Sequence, residues 1–242
     1  METIKLYYQD AFLRRFDATV LDCAADKKAW RVVLDRTAFY PEGGGQPADH
    51  GTLGDARVLD VHEKDGVVTH LCDRELPVGA EVSGHIDWAR RFDHMQNHSG
   101  EHIFSGLVHK KFGYDNVGFH LHDIVTVDFN GMMTWQDALD IEREANEIIW
   151  KDEETKISFP SKEELSSMDY RSKIELDGTV RIVEFPEGDT CACCGTHVSR
   201  AGEVGIVKVL SLARHKGGVR IELVCGRRAM EMMDKIYDLN ED

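Results

Sequence analysis

Two pairs of metal-binding side chains, each spaced four residues apart, constrain this chain more than any other feature of its sequence. The first pair is His98 and His102, and the second is Cys193 and His197, far downstream. Residues four apart lie on one face of a helix, so His98 and His102 can direct two imidazoles at one ion. Nitrogen and sulfur ligands together form the set that zinc prefers. The sequence therefore predicts one zinc ion per chain, bound by two distant segments.

Two interpretations of this zinc site compete. A shell of four protein ligands is the usual composition of a purely structural zinc site. In this chain, however, the residues next to the ligands are small or polar and would leave room for a bound molecule: Ser99, Gly100, Gly195 and Thr196. A working site and a zinc-stabilised module without catalysis both remain open on this pattern.

A peptidase is a further interpretation of the first pair. The run from His98 to His102 also fits the pattern His-x-x-Glu-His of inverted zincins, in which Glu101 would act as the general base. Such a peptidase needs an acidic third ligand further along the chain. The downstream cluster here is Cys193 and His197, which argues against that zinc metallopeptidase.

Composition indicates a globular protein that works in the cytoplasm. The chain has 242 residues, of which 42% are hydrophobic, enough for a real core. No run is long and apolar enough for a signal peptide or a membrane helix, so no membrane partner is expected. Three of the six cysteines lie together beside a histidine, at Cys191, Cys193 and Cys194, a pattern typical of reduced metal ligands rather than disulfides.

Charge is distributed unevenly along the chain. The net charge of −15 argues against a general binder of polyanions. Residues 131–190 hold 16 acidic and 7 basic residues, whereas residues 191–228 hold 2 acidic and 7 basic ones. The second region, which contains Cys193 and His197, could therefore bind a phosphate backbone locally. The candidate phosphate contacts are Arg90, Arg91, Arg214, Lys216, Arg220, Arg227 and Arg228.

Periodicity predicts an α+β protein with two domains. Residues 1–87 contain short alternating runs separated by turns, which indicates a small antiparallel β-barrel or sandwich. The predicted strands begin at Ile4, Ala18, Ala29, Ala56, Val67 and Val82. Residues 88–242 predict an α+β domain in which helices cover an antiparallel sheet.

Several elements of the second domain can be located from the sequence. A helix is predicted from about Trp88, and another is predicted after Thr134, where Asp137 would complete a capping box. The remaining predictions are a strand in the second half of 117–129, strands at 156–159, 180–185, 204–212 and 218–224, a short helix near 162–168, and a final helix from about Arg227 to the acidic C terminus.

A glycine-rich run interrupts the strands of the first domain. It extends from Thr37 to Gly51 and contains three consecutive glycines, Gly43, Gly44 and Gly45, followed by Gln46. Consecutive glycines permit positive φ and a close approach of the backbone to another group. A plain hairpin loop is one explanation, but the glutamate, glutamine and aromatic residues around the glycines favour a functional loop.

These motifs, in this order, resemble the editing domain of alanyl-tRNA synthetase and its free-standing AlaX-type relatives. The glycine-rich run is similar to the glycine motif of that family, and the segments His98–His102 and Cys193–Val198 are similar to its two zinc motifs. Threonyl-tRNA synthetase carries a similar zinc-motif domain, but the glycine-rich barrel in front favours the alanyl branch. The resemblance covers roughly residues 4–228. The chain departs from the family at Cys194, where glycine is usual, and Glu101 occupies a variable position.

The resemblance implies an ATP-independent hydrolase that removes serine, and also glycine, from mischarged tRNA(Ala). It implies zinc ligation by His98, His102, Cys193 and His197, with Thr37 as the residue that selects serine. Gln46 and the glycines Gly43, Gly44 and Gly45 would line the amino-acid pocket. Because the sequence contains no synthetase catalytic domain, editing is expected to occur in trans; the oligomeric state is left open.

Overall fold

Two compact units, Met1–His94 and Met95–Asp242, divide the chain in the computed structural model, which describes residues 2–172 and 180–238. Most of the strand pairs are antiparallel, and helices accompany the sheets of the second unit, which confirms the predicted α+β class. The helix that begins at Trp88 continues across the division.

The first unit is built around a closed β-barrel. Its strands are β1 (Ile4–Lys5), β2 (Arg15–Asp26), β3 (Ala29–Leu34), β4 (Arg36–Thr37), β5 (Gly51–Leu53), β6 (Ala56–Lys64), β7 (Val67–Cys72) and β8 (Glu81–Ile86). The strand order of the barrel is β2-β3-β7-β6-β5-β8. Alternate residues of β7 are buried, as expected for strands with one face toward a core. Phe16, Leu34, Leu53 and Val61 belong to this core, so the predicted barrel is confirmed.

The N-terminal segment differs from its predicted strand. Only Ile4–Lys5 is a strand, paired with β4, and Leu6–Tyr8 forms a 3₁₀ turn. Tyr7 is 1% exposed and packs edge-on against Tyr40, with 5.5 Å between ring centroids. Burial of this aromatic ring has overridden the strand propensity of the segment.

The glycine-rich run forms a tight turn held by reciprocal hydrogen bonds. The backbone N–H of Gly43 donates to the carbonyl of Gln46 at 3.1 Å, and the N–H of Gln46 donates back at 3.0 Å. Gly44 and Gly45 have φ values of 60° and 84°, the combination that a type I′ turn requires. The Tyr40 hydroxyl also donates to the Gly43 carbonyl. This loop is thus a tight hairpin turn whose positive φ values favour glycine at both central positions.

The second unit contains the rest of helix α1 (Trp88–Phe112) and two sheets. The other elements are β9 (Asn116–Leu121), β10 (Val125–Phe129), α2 (Trp135–Lys151), β11 (Lys156–Ser158), α3 (Lys162–Ser167), β12 (Ile182–Phe185), β13 (Asp189–Ala192), β14 (Val207–His215), β15 (Gly218–Cys225) and α4 (Arg227–Asp238). The large antiparallel sheet has the order β14-β15-β10-β9, and the smaller one has the order β11-β12-β13. Thr134 and Asp137 form the predicted capping box of α2.

Differences from the predicted elements occur where tertiary contacts decide the structure. The strand predicted from Val204 begins only at Val207, because Ala201–Val204 forms a 3₁₀ helix that ends at Gly205 with φ 81°. Strands β4, β5, β9 and β13 were not predicted. The predicted C-terminal end of the last helix, residues 239–242, lies outside the described residues. Within the described chain, no helix has the length and apolar character needed to cross a membrane.

Helix α1 contributes buried polar side chains to the second unit. Every residue from Asn97 to Val108 is buried, yet this stretch includes several polar side chains. The backbone of the helix packs closely: a Cβ on Gly100 would lie 2.4 Å from Cys225 Sγ, and one on Gly106 would lie 2.3 Å from the Gly188 carbonyl oxygen. The large sheet and the turn between β12 and β13 therefore contact α1 directly and enclose its polar groups.

Candidate metal centre

Four ligand-type side chains converge in the second unit. One ligand atom each from His98, His102, Cys193 and His197 lies within 4.8 Å of the other three. The histidines of the first pair project from α1, and the second pair follows β13. The structure thus brings together the two pairs that the sequence predicted.

The geometry and environment of this cluster fit a zinc ion. Neither ring nitrogen of His197 has a hydrogen-bond partner among the described residues, although the ring is buried, and such unsatisfied groups are rare without a bound partner. His98 Nε2 lies 3.5 Å from Cys193 Sγ. A nitrogen and a sulfur on one tetrahedral zinc would be separated by about 3.5 Å, given the usual bond lengths. The four residues could therefore hold the ion with little rearrangement.

His102 is oriented by a buried ion pair that the sequence did not reveal. Its Nδ1–H donates to Asp189 Oδ2 at 2.8 Å, which leaves Nε2 as the nitrogen that would bind a metal once its proton is released. Arg171 holds the same carboxylate with two bonds, from Nε to Oδ1 and from Nη2 to Oδ2, each 2.7 Å long. Asp189 is four residues before Cys193, but no spacing pattern in the sequence distinguishes it from other acidic residues.

Burial and charge shift the pKa values of the cluster in opposite directions. Burial opposes ionisation of the Cys193 thiol, but the imidazoles around it, His98 first, hold its pKa well below the usual range. Burial also keeps the pKa of His197 well below its ordinary value, so this ring is neutral. Burial lowers the pKa of His102 as well, but Cys193 and Asp189 outweigh it and raise the pKa to about 9. A thiolate and neutral imidazoles are the forms that ligate metals, so binding would release the proton from His102.

Glu101 is buried beside the cluster. It is 1% exposed, and its Oε1 accepts hydrogen bonds from Ser105 Oγ at 2.5 Å and from the Asn116 side-chain amide. These bonds turn the carboxylate toward its own helix and β9. The peptidase interpretation requires Glu101 as a general base and an acidic third ligand, but the third and fourth positions of the cluster are Cys193 and His197.

The residues predicted to line an amino-acid pocket lie in the first unit. Thr37 and Gln46 are both 0% exposed, whereas Gly44 and Gly45 are exposed at the turn. Thr37 Oγ1 lies 2.8 Å from His70 Nε2 and accepts from the Phe39 N–H at 3.1 Å. His70 Nδ1 lies 3.1 Å from the Val32 carbonyl and so carries the ring proton, which makes Thr37 the donor to Nε2.

His70 itself is kept neutral inside the barrel. Burial lowers the pKa of His70 to about 4, because a charged imidazolium would be poorly solvated there. The ring therefore remains an acceptor for the Thr37 hydroxyl at physiological pH.

The predicted phosphate contacts separate into buried and exposed residues. Arg91 is wrong as a contact: it is 0% exposed and its guanidinium is paired with Asp49, so it cannot reach a phosphate. Arg220 is partly exposed but holds Asp128 through two bonds of 2.6 and 2.7 Å. Arg214 and Lys216 are exposed at the tip of the β14–β15 hairpin, and Arg90 is half-buried.

Two known protein families match separate segments of the chain. Residues 6–90 match the tRNA synthetases class II (A), and residues 180–222 match the threonyl and alanyl tRNA synthetase second additional domain. Alanyl-tRNA editing protein AlaX-L of Pyrococcus horikoshii is 37% identical over 96% of the chain and 60% of that relative. Alanyl-tRNA editing protein Aarsd1 of Bos taurus is 30% identical over 96% of the chain and 57% of that relative.

An alanine–tRNA ligase also aligns with nearly all of the chain. The ligase of Ignicoccus hospitalis is 36% identical over 98% of the chain, which spans 27% of the ligase. The chain thus covers less than two thirds of each of these relatives. The segment that matches the additional domain of threonyl- and alanyl-tRNA synthetases, residues 180–222, contains Cys193 and His197 of the buried ligand cluster. Over nearly its whole length, the chain is similar to the alanyl-tRNA editing proteins AlaX-L and Aarsd1 and to alanine–tRNA ligases.

Proposed function

We propose that this chain is an ester hydrolase that deacylates mischarged tRNA(Ala) in trans, with serine as the chief amino acid removed and glycine as the second. The observation that carries the proposal is the buried cluster of His98, His102, Cys193 and His197. Two relatives named as alanyl-tRNA editing proteins align with 96% of the chain. The proposal extends to the cytoplasm as the compartment and to tRNA as the partner.

The proposed reaction is hydrolysis of the ester between serine and the terminal ribose of the tRNA. The oxygen of water forms a bond to the carbonyl carbon, and the bond from that carbon to the ribose oxygen breaks. The ribose oxygen takes a proton and leaves as a hydroxyl, so the products are free serine and uncharged tRNA. An ester is already activated, which is why no ATP is needed.

The side chains of the cluster would hold one zinc ion. When bound, zinc can polarise a carbonyl group or lower the pKa of a water molecule. A tetrahedral shell with four protein ligands has no open position, however. We therefore assign to the residues around the cluster the role of orienting the aminoacyl end of the tRNA. Well-oriented groups can lower the activation barrier of a reaction by about 7–11 kcal/mol. Asp189 and Arg171 contribute by fixing the His102 ring.

A deacylation assay tests this function directly. Ser-tRNA(Ala), Gly-tRNA(Ala) and Ala-tRNA(Ala) are incubated with the purified chain and the remaining ester is measured over time. We expect rapid loss of the serine ester, slower loss of the glycine ester and retention of the alanine ester. His98→Ala should abolish the activity, whereas His122→Ala, which changes an exposed histidine, should not. If the wild-type chain binds these tRNAs but cleaves none of them, it is an RNA-binding module and the hydrolase proposal fails.

Thr37 is proposed as the residue that favours serine. Its hydroxyl donates to His70 and accepts from the Phe39 N–H, so one lone pair remains that could accept a hydrogen bond from the serine hydroxyl. Glycine has no such group. We expect Thr37→Val to lower the ratio of the serine rate to the glycine rate by about 2–10-fold, as the loss of one hydrogen bond implies. Thr37→Ser, which keeps the hydroxyl, should preserve the ratio.

Because Thr37 is buried, its hydroxyl also has a structural role, which must be separated from its effect on the rate ratio. The side chain is 0% exposed, so the same hydroxyl also stabilises the barrel through His70. Rates are therefore compared per folded molecule, with folding measured by circular dichroism. An unchanged rate ratio in folded Thr37→Val would show that this hydroxyl serves the barrel alone.

A further inference from the structure

Two possible sets of metal ligands overlap at His102. The first is the cluster of His98, His102, Cys193 and His197, and the second consists of His102, Asp189 and Cys191. All three members of the second set are buried, and their ligand atoms also lie within 4.8 Å of one another. A carboxylate, a thiolate and an imidazole could bind zinc equally well by ligand type. Something in the fold must therefore decide which set His102 joins.

Arg171 occupies both oxygens of the carboxylate that the second set would need. Its two bonds to Asp189 are 2.7 Å long, and the side chains are 13% and 1% exposed. The backbone fixes the arginine as well: its N–H donates to the Thr190 carbonyl, and its own carbonyl accepts from the Ala192 N–H, both at 2.9 Å. This parallel bridge places Arg171 directly beside Cys191.

We propose that Arg171 is a positioning residue that selects the ligand set of the metal centre. With both oxygens of Asp189 in the guanidinium fork, the carboxylate is neutralised and can only accept the Nδ1–H of His102. The ring then presents Nε2 to the set that contains Cys193. The inference rests on the proposed metal centre, and Arg171 is assigned no contact with substrate.

Removal of the guanidinium would change the electrostatics of the second set. Asp189 would become a buried carboxylate whose remaining cationic partner among residues 2–172 and 180–238 is His102, and an unpaired buried charge is strongly unfavourable. A divalent cation beside Asp189 and Cys191 would relieve that cost. The metal should therefore shift toward the second set, with Cys191 as a new ligand.

Cobalt(II) distinguishes the two sets without any measurement of activity. It can replace zinc, and a thiolate ligand gives it a charge-transfer absorption band. In the wild-type chain, Cys193→Ser should remove this band and Cys191→Ser should leave it unchanged. In Arg171→Met, we expect the band to depend on Cys191, so that adding Cys191→Ser weakens or removes it. Arg171→Lys, which keeps the charge, should retain the wild-type dependence on Cys193.

A second substitution at Arg171 covers the case in which Arg171→Met does not fold. Arg171→Gln keeps amide donors toward Asp189 without the charge, and it should show the same dependence on Cys191 as Arg171→Met. If the band in whichever variant folds still depends on Cys193 alone, Arg171 does not select the ligands, while the metal centre itself stands. If the wild-type chain binds no cobalt at all, the metal centre and the role of Arg171 both fail, whatever the deacylation assay shows.

Discussion

At the scale of single residues, Arg91 and Asp49 form a buried ion pair in the first unit. Both side chains are essentially inaccessible, at 0% and 1%. Arg91 also donates to the carbonyls of Ala11 at 2.7 Å and Ala38 at 2.6 Å, and Asp49 accepts from the Tyr40 N–H. These bonds join α1 to both ends of the glycine-rich run. The pair therefore holds the loop that carries Gly43–Gln46 in its place on the barrel.

Replacement of Arg91 should be far more damaging than replacement of its neighbour. Arg91→Met leaves Asp49 buried without its cation, so we expect a loss of about 3–5 kcal/mol in the free energy of unfolding. Arg90→Met removes only one bond to the Ala48 carbonyl from a half-buried side chain and should cost about 0.5–1.5 kcal/mol. Urea unfolding at pH 7 measures both. Equal losses in the two variants would contradict the assigned role of the ion pair.

Local sequence spacing identifies some residues of the candidate site, whereas others are placed there only by tertiary packing. His98, His102, Cys193 and His197 were predictable because a four-residue spacing is a local property that places two side chains together. Arg91, by contrast, was predicted as a phosphate contact because nothing local distinguishes it from Arg90. Asp189 and Arg171 escaped prediction for a related reason: their role depends on which strand packs against α1.

At the scale of elements, α1 was predicted from its periodicity, but its close packing was not. Its buried turns approach the turn between β12 and β13 so closely that a Cβ on Gly106 would lie 2.6 Å from Asp189 Cβ. Strand β13 was missed because it is short and its sequence, Asp189–Ala192, lacks apolar alternation. Its position is set by pairing with β12, and that pairing places Asp189 within hydrogen-bond distance of His102.

Gly106 is therefore expected to control the metal centre through packing. Gly106→Ala must displace the Gly188 carbonyl and Asp189, which would loosen the support of His102. Loss of such a supporting contact typically lowers metal affinity by about 10–100-fold. Titration with a chromophoric zinc chelator measures this, and Gly131→Ala is the control, because its Cβ would clash with the Tyr114 ring, which is not part of the ligand cluster. Equal affinities in the two variants would refute the connection.

At the scale of the whole molecule, charge would limit how the chain binds the proposed tRNA partner. The net charge is −15, so long-range attraction to a polyanion is absent and contacts must be local. The structure narrows the candidates, because Arg91 is buried and Arg220 is engaged by Asp128. Arg214 and Lys216 are exposed together at one hairpin tip, because β14 pairs with β15 through the short turn beside them.

The salt dependence of tRNA binding tests whether this tip contacts phosphates. Each phosphate contact that a cation makes releases counterions, so removing one should reduce the slope of log K against log salt concentration by about 1. We expect Arg214→Gln with Lys216→Gln to weaken binding and to flatten the slope by about 1–2. The matched control is Arg143→Gln with Lys162→Gln, two exposed cations that stand among carboxylates and should leave the slope unchanged. If the control flattens the slope as much as the hairpin variant, RNA binding is not localised at the tip, because contacts spread over the surface would respond to any two cations alike.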